Sequence, residues 1–282
     1  MDKFVRIYGG LGNQIFQYLY GQYLSENTKA NVHYYFGVTK SIKAEKRDLE
    51  LNRIFPGVSI KSNRILLLIT KYRAVEYLIR KVRLFRTHFK IVLESEVNAY
   101  DINVITEGRL FLGYWQDVIA LKKQLEIIKT TDWKSLFKSR LPEEIYNSTV
   151  HKSVALHVRR GDYLKLVDVY HEVTIEYYRE ALGYLRDNND IGKVFVFSDD
   201  ISWCKKNLNF HDYEVEFMEK GSIVEDFVAI SNCQHKIIAN STFSLLAALL
   251  SNNVGQILAP ESWAKGDHDI ILPKEILRIP NR

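Results

Sequence analysis

From residue 154 onward the chain alternates short apolar runs with amphipathic stretches, and this alternation narrows the possible folds more than any other feature. Runs at 154–158, 193–197, 214–217, 236–239 and 256–259 have strand length. The stretches between them, at 175–186, 201–207, 223–232 and 242–250, carry apolar residues at helical spacing. Strands separated by helices need crossover connections, so the pattern predicts an α/β fold with a parallel sheet covered on both faces. The first half repeats this grammar less regularly. It shows a strand at 4–8, the glycine-rich turn Gly9-Gly10-Leu11-Gly12-Asn13-Gln14, and a helix from 15 toward 24. A strand at 32–36, a helix at 47–55 stopped by Pro56-Gly57, and a strand at 110–112 follow. The polar stretch 141–148 marks the expected boundary between an N-terminal domain, 1–148, and a C-terminal domain, 149–282, whose last helix is expected to pack back on the first domain.

Composition narrows the class. At 282 residues the chain has room for two domains. The two cysteines, Cys204 and Cys233, lack the paired spacing of a zinc or iron–sulfur site and read as reduced core thiols of a cytoplasmic protein. The N-terminus has no secretory h-region, and the apolar runs are too short to cross a bilayer. The net charge of +5 is concentrated. Residues 61–90 hold nine basic side chains and one acidic one, a local +8, which leaves −3 for the rest of the chain.

Three polar clusters close three of the predicted strands: His157-Val158-Arg159-Arg160-Gly161-Asp162, Ser198-Asp199-Asp200, and Asn240-Ser241-Thr242-Phe243-Ser244. In open α/β sheets, ligands bind outside the carboxyl ends of the strands. Paired guanidiniums there suit a diphosphate, and an ion pair between Arg159 or Arg160 and Asp162 is the structural alternative. Asn240-Ser241-Thr242 opens a helix, whose terminal N–H groups either hold phosphate or are capped by Ser241 or Thr242. Asp199 and Asp200 lack a third metal ligand at suitable spacing, which favours hydrogen bonding to a base or ribose. The Gly9–Gly12 turn fits neither common phosphate loop, but Asn13 and Gln14 beside it offer amides to sugar or phosphate oxygens.

On these pieces, together with Gly113-Tyr114-Trp115-Gln116 and Trp203, the chain resembles the bacterial α-1,2-fucosyltransferases of glycosyltransferase family 11. The resemblance runs in the family's order from residue 9 to beyond 244. It implies a GT-B-type fold of two Rossmann-like domains facing a central cleft. The implied reaction is inverting transfer of L-fucose from GDP-β-L-fucose to O2 of a terminal galactose, without divalent metal or other cofactor, in polysaccharide or O-antigen biosynthesis. Carried over by position, Arg159 and Arg160 bind the diphosphate, and Arg159 stabilises the leaving GDP. His157 holds the arginines and touches the nucleotide. Ser198 and Asp199 lie at the guanine or ribose, Asn240, Ser241, Thr242 and Phe243 at the phosphates. Gly12, Asn13 and Gln14 belong to the donor site from the first domain. Asp162, His171 and Glu172 are the candidates for the group that receives the acceptor proton.

The chain departs from the family pattern in two places. Leu245-Leu246-Ala247-Ala248-Leu249-Leu250 stands where bacterial members often carry tryptophans, and residues 165–170 differ from familiar members, which leaves the acceptor open. The basic 61–90 segment reads either as a peripheral contact with anionic lipid, suited to a lipid-linked acceptor at the inner face of the cytoplasmic membrane, or as a solvated helix face. Another GDP-fucose linkage, α-1,6 or protein O-fucosylation, is the alternative among enzymes. A basic nucleic-acid-binding protein is the alternative from another class, but few aromatics lie among these charges, so no nucleic-acid partner is expected.

Overall fold

The computed structural model describes residues 2–37, 47–61, 75, 77, 79, 81–96, 98–131, 135–136, 152–219, 221–253, 255–265 and 270–281. The chain divides into two compact units, Met1–Leu125 and Glu126–Arg282. The boundary expected at 148/149 lies outside the described residues, as does most of the basic 61–90 segment.

The first unit is built on four parallel strands in the order β2-β1-β4-β3, with β1 (Asp2–Ile7), β2 (Asn31–Phe36), β3 (Ile91–Leu93) and β4 (Leu110–Leu112). Helix α1 (Leu11–Thr28) covers one face with Leu11, Ile15, Phe16, Leu19, Tyr20 and Leu24, all buried and recurring every three to five residues. It starts earlier than the apolar pattern suggests. Gly10 is the N-cap, and the Gln14 N–H already donates to its carbonyl at 3.0 Å.

The helix expected at 47–55 shrinks to α2 (Leu51–Ile54) for an identifiable reason. Gln14 Nε2 donates to the carbonyls of Gly9 and Asp48, both at 2.8 Å. Its Oε1 accepts from the N–H groups of Glu50 and Leu51, both at 3.0 Å. Residues 48–51 are thus tied to α1 by a side chain distant in sequence and are drawn out of helical bonding. The unit also contains α3 (Arg83–Phe89) and α4 (Ile102–Glu107), and α5 (Lys122–Thr130) begins in it.

The second unit carries six parallel strands in the order β10-β9-β8-β5-β6-β7. They are β5 (Val154–Val158), β6 (Val194–Ser198), β7 (Val215–Phe217), β8 (His235–Ile237), β9 (Ile257–Pro260) and β10 (Leu277–Ile279). The helices between them are α6 (Ile175–Asn188), α7 (Ile201–Asn207), α8 (Ile223–Asn232) and α9 (Thr242–Leu249). Every residue of β5 is buried. Val154, Leu156 and Val158 pack with Tyr177, Tyr178, Leu182 and Leu185 of α6, while His157 points to the other face beside Phe243 of α9. Both units are therefore Rossmann-like parallel α/β sheets, as the GT-B expectation requires of each.

Among the described residues no helix follows α9. The chain ends in β10, which pairs in parallel with β9 at the sheet edge. Leu277 and Ile279 are better placed covering the α6 core cluster than on a separate helix.

One contact in the first unit is testable. A Cβ on Gly21 of α1 would lie 2.3 Å from the Tyr34 hydroxyl on β2, whose ring is buried and donates to the Tyr18 carbonyl. Gly21→Ala should destabilise the protein by about 1–3 kcal/mol despite alanine's better helix propensity, seen as a lower urea midpoint. Combining it with Tyr34→Ala should cost less than the two separate losses added together.

Candidate functional site

The strand order of the second unit reverses between β5 and β8, because the chain builds outward through β6 and β7 and then returns to the other side of β5. A switch point of this kind opens a crevice at the carboxyl edge. The three polar clusters predicted from sequence close β5, β6 and β8, which are neighbours in the sheet, so the fold brings them to one edge.

Arg159 is the centre of that edge. Its Nη2 meets Asp162 Oδ1 at 2.5 Å and its Nη1 meets Asp199 Oδ2 at 2.8 Å. The side chain is only 18% exposed. Burial opposes its charge, but Asp199 and Asp162 outweigh that cost and raise its pKa. Asp199 also accepts the Arg160 backbone N–H at 2.9 Å, so one carboxylate holds both the first guanidinium and the loop behind it. Gly161 makes this approach possible, since a Cβ there would lie 2.6 Å from Asp199 Oδ2. The ion pair weighed at the sequence level is therefore present, with a second aspartate added.

Arg160 is held differently. Its guanidinium carbon lies 3.6 Å from the Trp203 ring centroid, a close cation–π contact, and its Nε is 3.7 Å from Asp200 Oδ2. That Nε is buried without a hydrogen-bond partner. Asp200 caps α7 by accepting the Trp203 N–H, and Ser198 Oγ accepts the Asp200 N–H. His157 is buried beside Phe243, with Nδ1 unpartnered. Burial, then Arg159, pushes its imidazole down to about 3, so it is neutral at physiological pH.

The β8 cluster serves chiefly as a fastening. Asn240 Nδ2 donates to the carbonyls of His171 (2.8 Å) and Trp263 (3.0 Å), and the Asn240 carbonyl accepts from the Tyr163 hydroxyl at 2.9 Å. Tyr163 in turn stacks on Tyr170, their centroids 4.1 Å apart and their planes within 3°. Ser241 is the N-cap of α9 but makes no side-chain cap bond. Thr242 and Phe243 form the first turn of that helix. Arg159, Arg160, His171, Glu172 and Asn240 share a pocket of about 200 Å³, together with Lys265.

In the first unit, Gly12, Asn13 and Gln14 lie in the opening turn of α1. Asn13 Oδ1 accepts from Gln116 Nε2 at 2.8 Å, beside the Tyr8–Tyr114 ring pair. Gln14 is engaged at both ends of its amide by backbone, as described above. Glu94 accepts the N–H groups of Tyr114 and Trp115 at 2.6 and 2.7 Å, which shapes the Gly113–Gln116 turn.

Sequence reasoning missed Tyr170, Trp263, Lys265, Glu94 and Asp226. Tyr170 and Lys265 line the pocket and Trp263 is tied to it through Asn240, contacts made across the fold that no local pattern marks. In the first turn of α8, burial and then Glu225 push the Asp226 carboxyl up to about 6. Its unfolded pKa is near 3.8, so between those values the folded chain binds the extra proton and stability falls as pH rises. The penalty carried above pH 6 is about 3 kcal/mol. Asp226→Asn should raise the melting temperature at pH 8 and leave it nearly unchanged at pH 4.

The family described as Glycosyl transferase family 11 matches residues 111–274. An alpha-1,2-colitosyltransferase of Escherichia coli is 32% identical over 279 residues, covering 92% of this chain and 91% of its own. The O-antigen biosynthesis glycosyltransferase WbnK of Escherichia coli is 26% identical over 289 residues, covering 92% and 94%. A galactoside 2-alpha-L-fucosyltransferase, SEC1, of Bos taurus is 31% identical over 112 residues, 38% of this chain and 30% of that protein.

Proposed function

The chain belongs to glycosyl transferase family 11, and from that premise we propose that it moves L-fucose from GDP-β-L-fucose to O2 of a terminal galactose, inverting the anomeric centre to an α-1,2 linkage. Relatives named for α-1,2 transfer support the linkage. The observation that carries the reading is Arg159, a buried cation fixed by two aspartates at a sheet switch point. Negative charge grows on the diphosphate as the glycosidic bond breaks, so a guanidinium held in advance binds the transition state more strongly than the ground state. That role makes a divalent cation unnecessary. Arg160, His157 and the start of α9 complete the donor side, with Ser198 and Asp199 behind the arginines. Asp162 acts as a strut to Arg159, which leaves His171 and Glu172, both on the pocket lining, to receive the acceptor proton.

A second reading rests on the extent of the match to the colitosyltransferase. Colitose is L-fucose without its 3-hydroxyl, so the same leaving-group chemistry serves either sugar. Incubation with each GDP-sugar and galactose-terminated acceptors, in the presence of a metal chelator, decides between them through product linkage and relative kcat/KM. Product from GDP-fucose with an α-1,2 linkage is expected. Arg159→Ala should lower kcat by about 10²- to 10³-fold and, by stranding Asp162 and Asp199, also lower the melting temperature, whereas Arg159→Lys should recover most of the melting temperature but not kcat. A variant with near-normal transfer would refute the leaving-group role.

For the basic segment, we propose peripheral contact with anionic lipid. Lys81, Arg83 and Lys90 are exposed around Leu84, itself 83% exposed, whereas Arg86 is engaged by Glu96. No helix among the described residues is long and apolar enough to cross a membrane. Sedimentation with phosphatidylglycerol vesicles, lost on Leu84→Glu and absent with phosphatidylcholine, is the expected result.

A further inference from the structure

The charge balance around the arginines does not suit a diphosphate as it stands. Two guanidiniums, Arg159 and Arg160, face three carboxylates, Asp162, Asp199 and Asp200. The cluster is therefore one negative charge in excess before any ligand enters. Glu172 on the same pocket lining adds to that excess. Confining a nucleoside diphosphate against such a surface is costly unless another positive group meets it.

Lys265 supplies that group from a separate part of the chain. Its backbone N–H donates to the Val169 carbonyl at 2.8 Å, and the neighbouring Ala264 forms an antiparallel bridge with Tyr170. Residues 264–265 are thereby stitched to the segment that carries Tyr170, His171 and Glu172. Lys265 lines the pocket that Arg159 and Arg160 also line, and it is exposed. Its ammonium forms no hydrogen bond or ion pair with any described residue. The guanidinium of Arg159 is already divided between two carboxylates and that of Arg160 rests on Trp203, so among the described residues lining this pocket the lysine is the cation with its charge uncommitted. A compact ammonium on a flexible stem stays hydrated until an anion arrives, and so carries no burial cost in the empty site.

We infer that Lys265 is a phosphate-binding residue of this pocket, offsetting the carboxylate excess when a nucleoside diphosphate enters. The inference rests on the donor reading given above, and it extends that reading to a residue outside the motif clusters.

Titration calorimetry of the full chain with guanosine, GMP and GDP tests it. Lys265→Ala should weaken GDP binding by about tenfold and leave guanosine binding within about twofold, because only the phosphates meet the ammonium. Lys265→Arg should restore most of the lost GDP affinity. Thermal melting of both variants should match the parent, since the side chain is exposed and makes no ion pair among the described residues. Unchanged GDP binding by Lys265→Ala overturns the inference while leaving the donor reading intact. An equal loss for guanosine and GDP also overturns it, by showing a structural effect. A parent protein that binds none of the three overturns the donor reading, and this inference with it.

Discussion

The placement of one buried guanidinium between two aspartates organises the second unit of this protein. Arg159 is largely enclosed, and the cost of holding its charge there is offset by carboxylates that come from different places: Asp162 from its own loop and Asp199 from the end of the next strand. The parallel register of β5 and β6 sets Val158 against Ser198, which brings Asp199 within reach of the arginine loop. Gly161 leaves room for it. The same carboxylate fixes the backbone at Arg160. The cation is therefore oriented before any ligand arrives, the condition under which a charge contributes most to a transition state.

Much of the polar chemistry at this edge is scaffold. Asn240 ties two distant carbonyls together, and Tyr163 closes the knot by donating back to Asn240 and stacking on Tyr170. Asp200 caps a helix, and Ser198 turns the chain into it. Buried polar groups need such partners, so a dense polar motif supplies its own supports. In the function proposed above, the groups that meet substrate are fewer than the motif's length suggests: Arg159, the Arg160 guanidinium, His157 and the start of α9 on the donor side, His171 and Glu172 on the acceptor side, and the proposed lysine from outside the motifs.

The strands and helices of the second unit were largely legible because their period is local. The segments at 201–207 and 223–232 are helices over those same residues, and each polar cluster does lie at a strand end. Where the reading failed, a long-range contact had overridden local preference. The helix expected at 47–55 is shortened because the Gln14 amide ties residues 48–51 to α1. Asp199, expected at the base or ribose, has in addition a role that local sequence does not show, since it engages the arginine loop. The C-terminal residues, given no element from sequence, form an edge strand because the sheet offered an unpaired backbone row and a place for Leu277 and Ile279.

By itself the sequence determined the fold class and the clustering of cations and amides at strand ends, since apolar periodicity and motif order are properties of neighbouring residues. Family membership follows from the same order. The division of roles within the cluster was decided only by tertiary structure. Whether a carboxylate is a base, a strut or a cap depends on which donor lies within about 3 Å of it, and at this edge those donors come from other strands and loops. The strand order, which no local pattern encodes, set those neighbours.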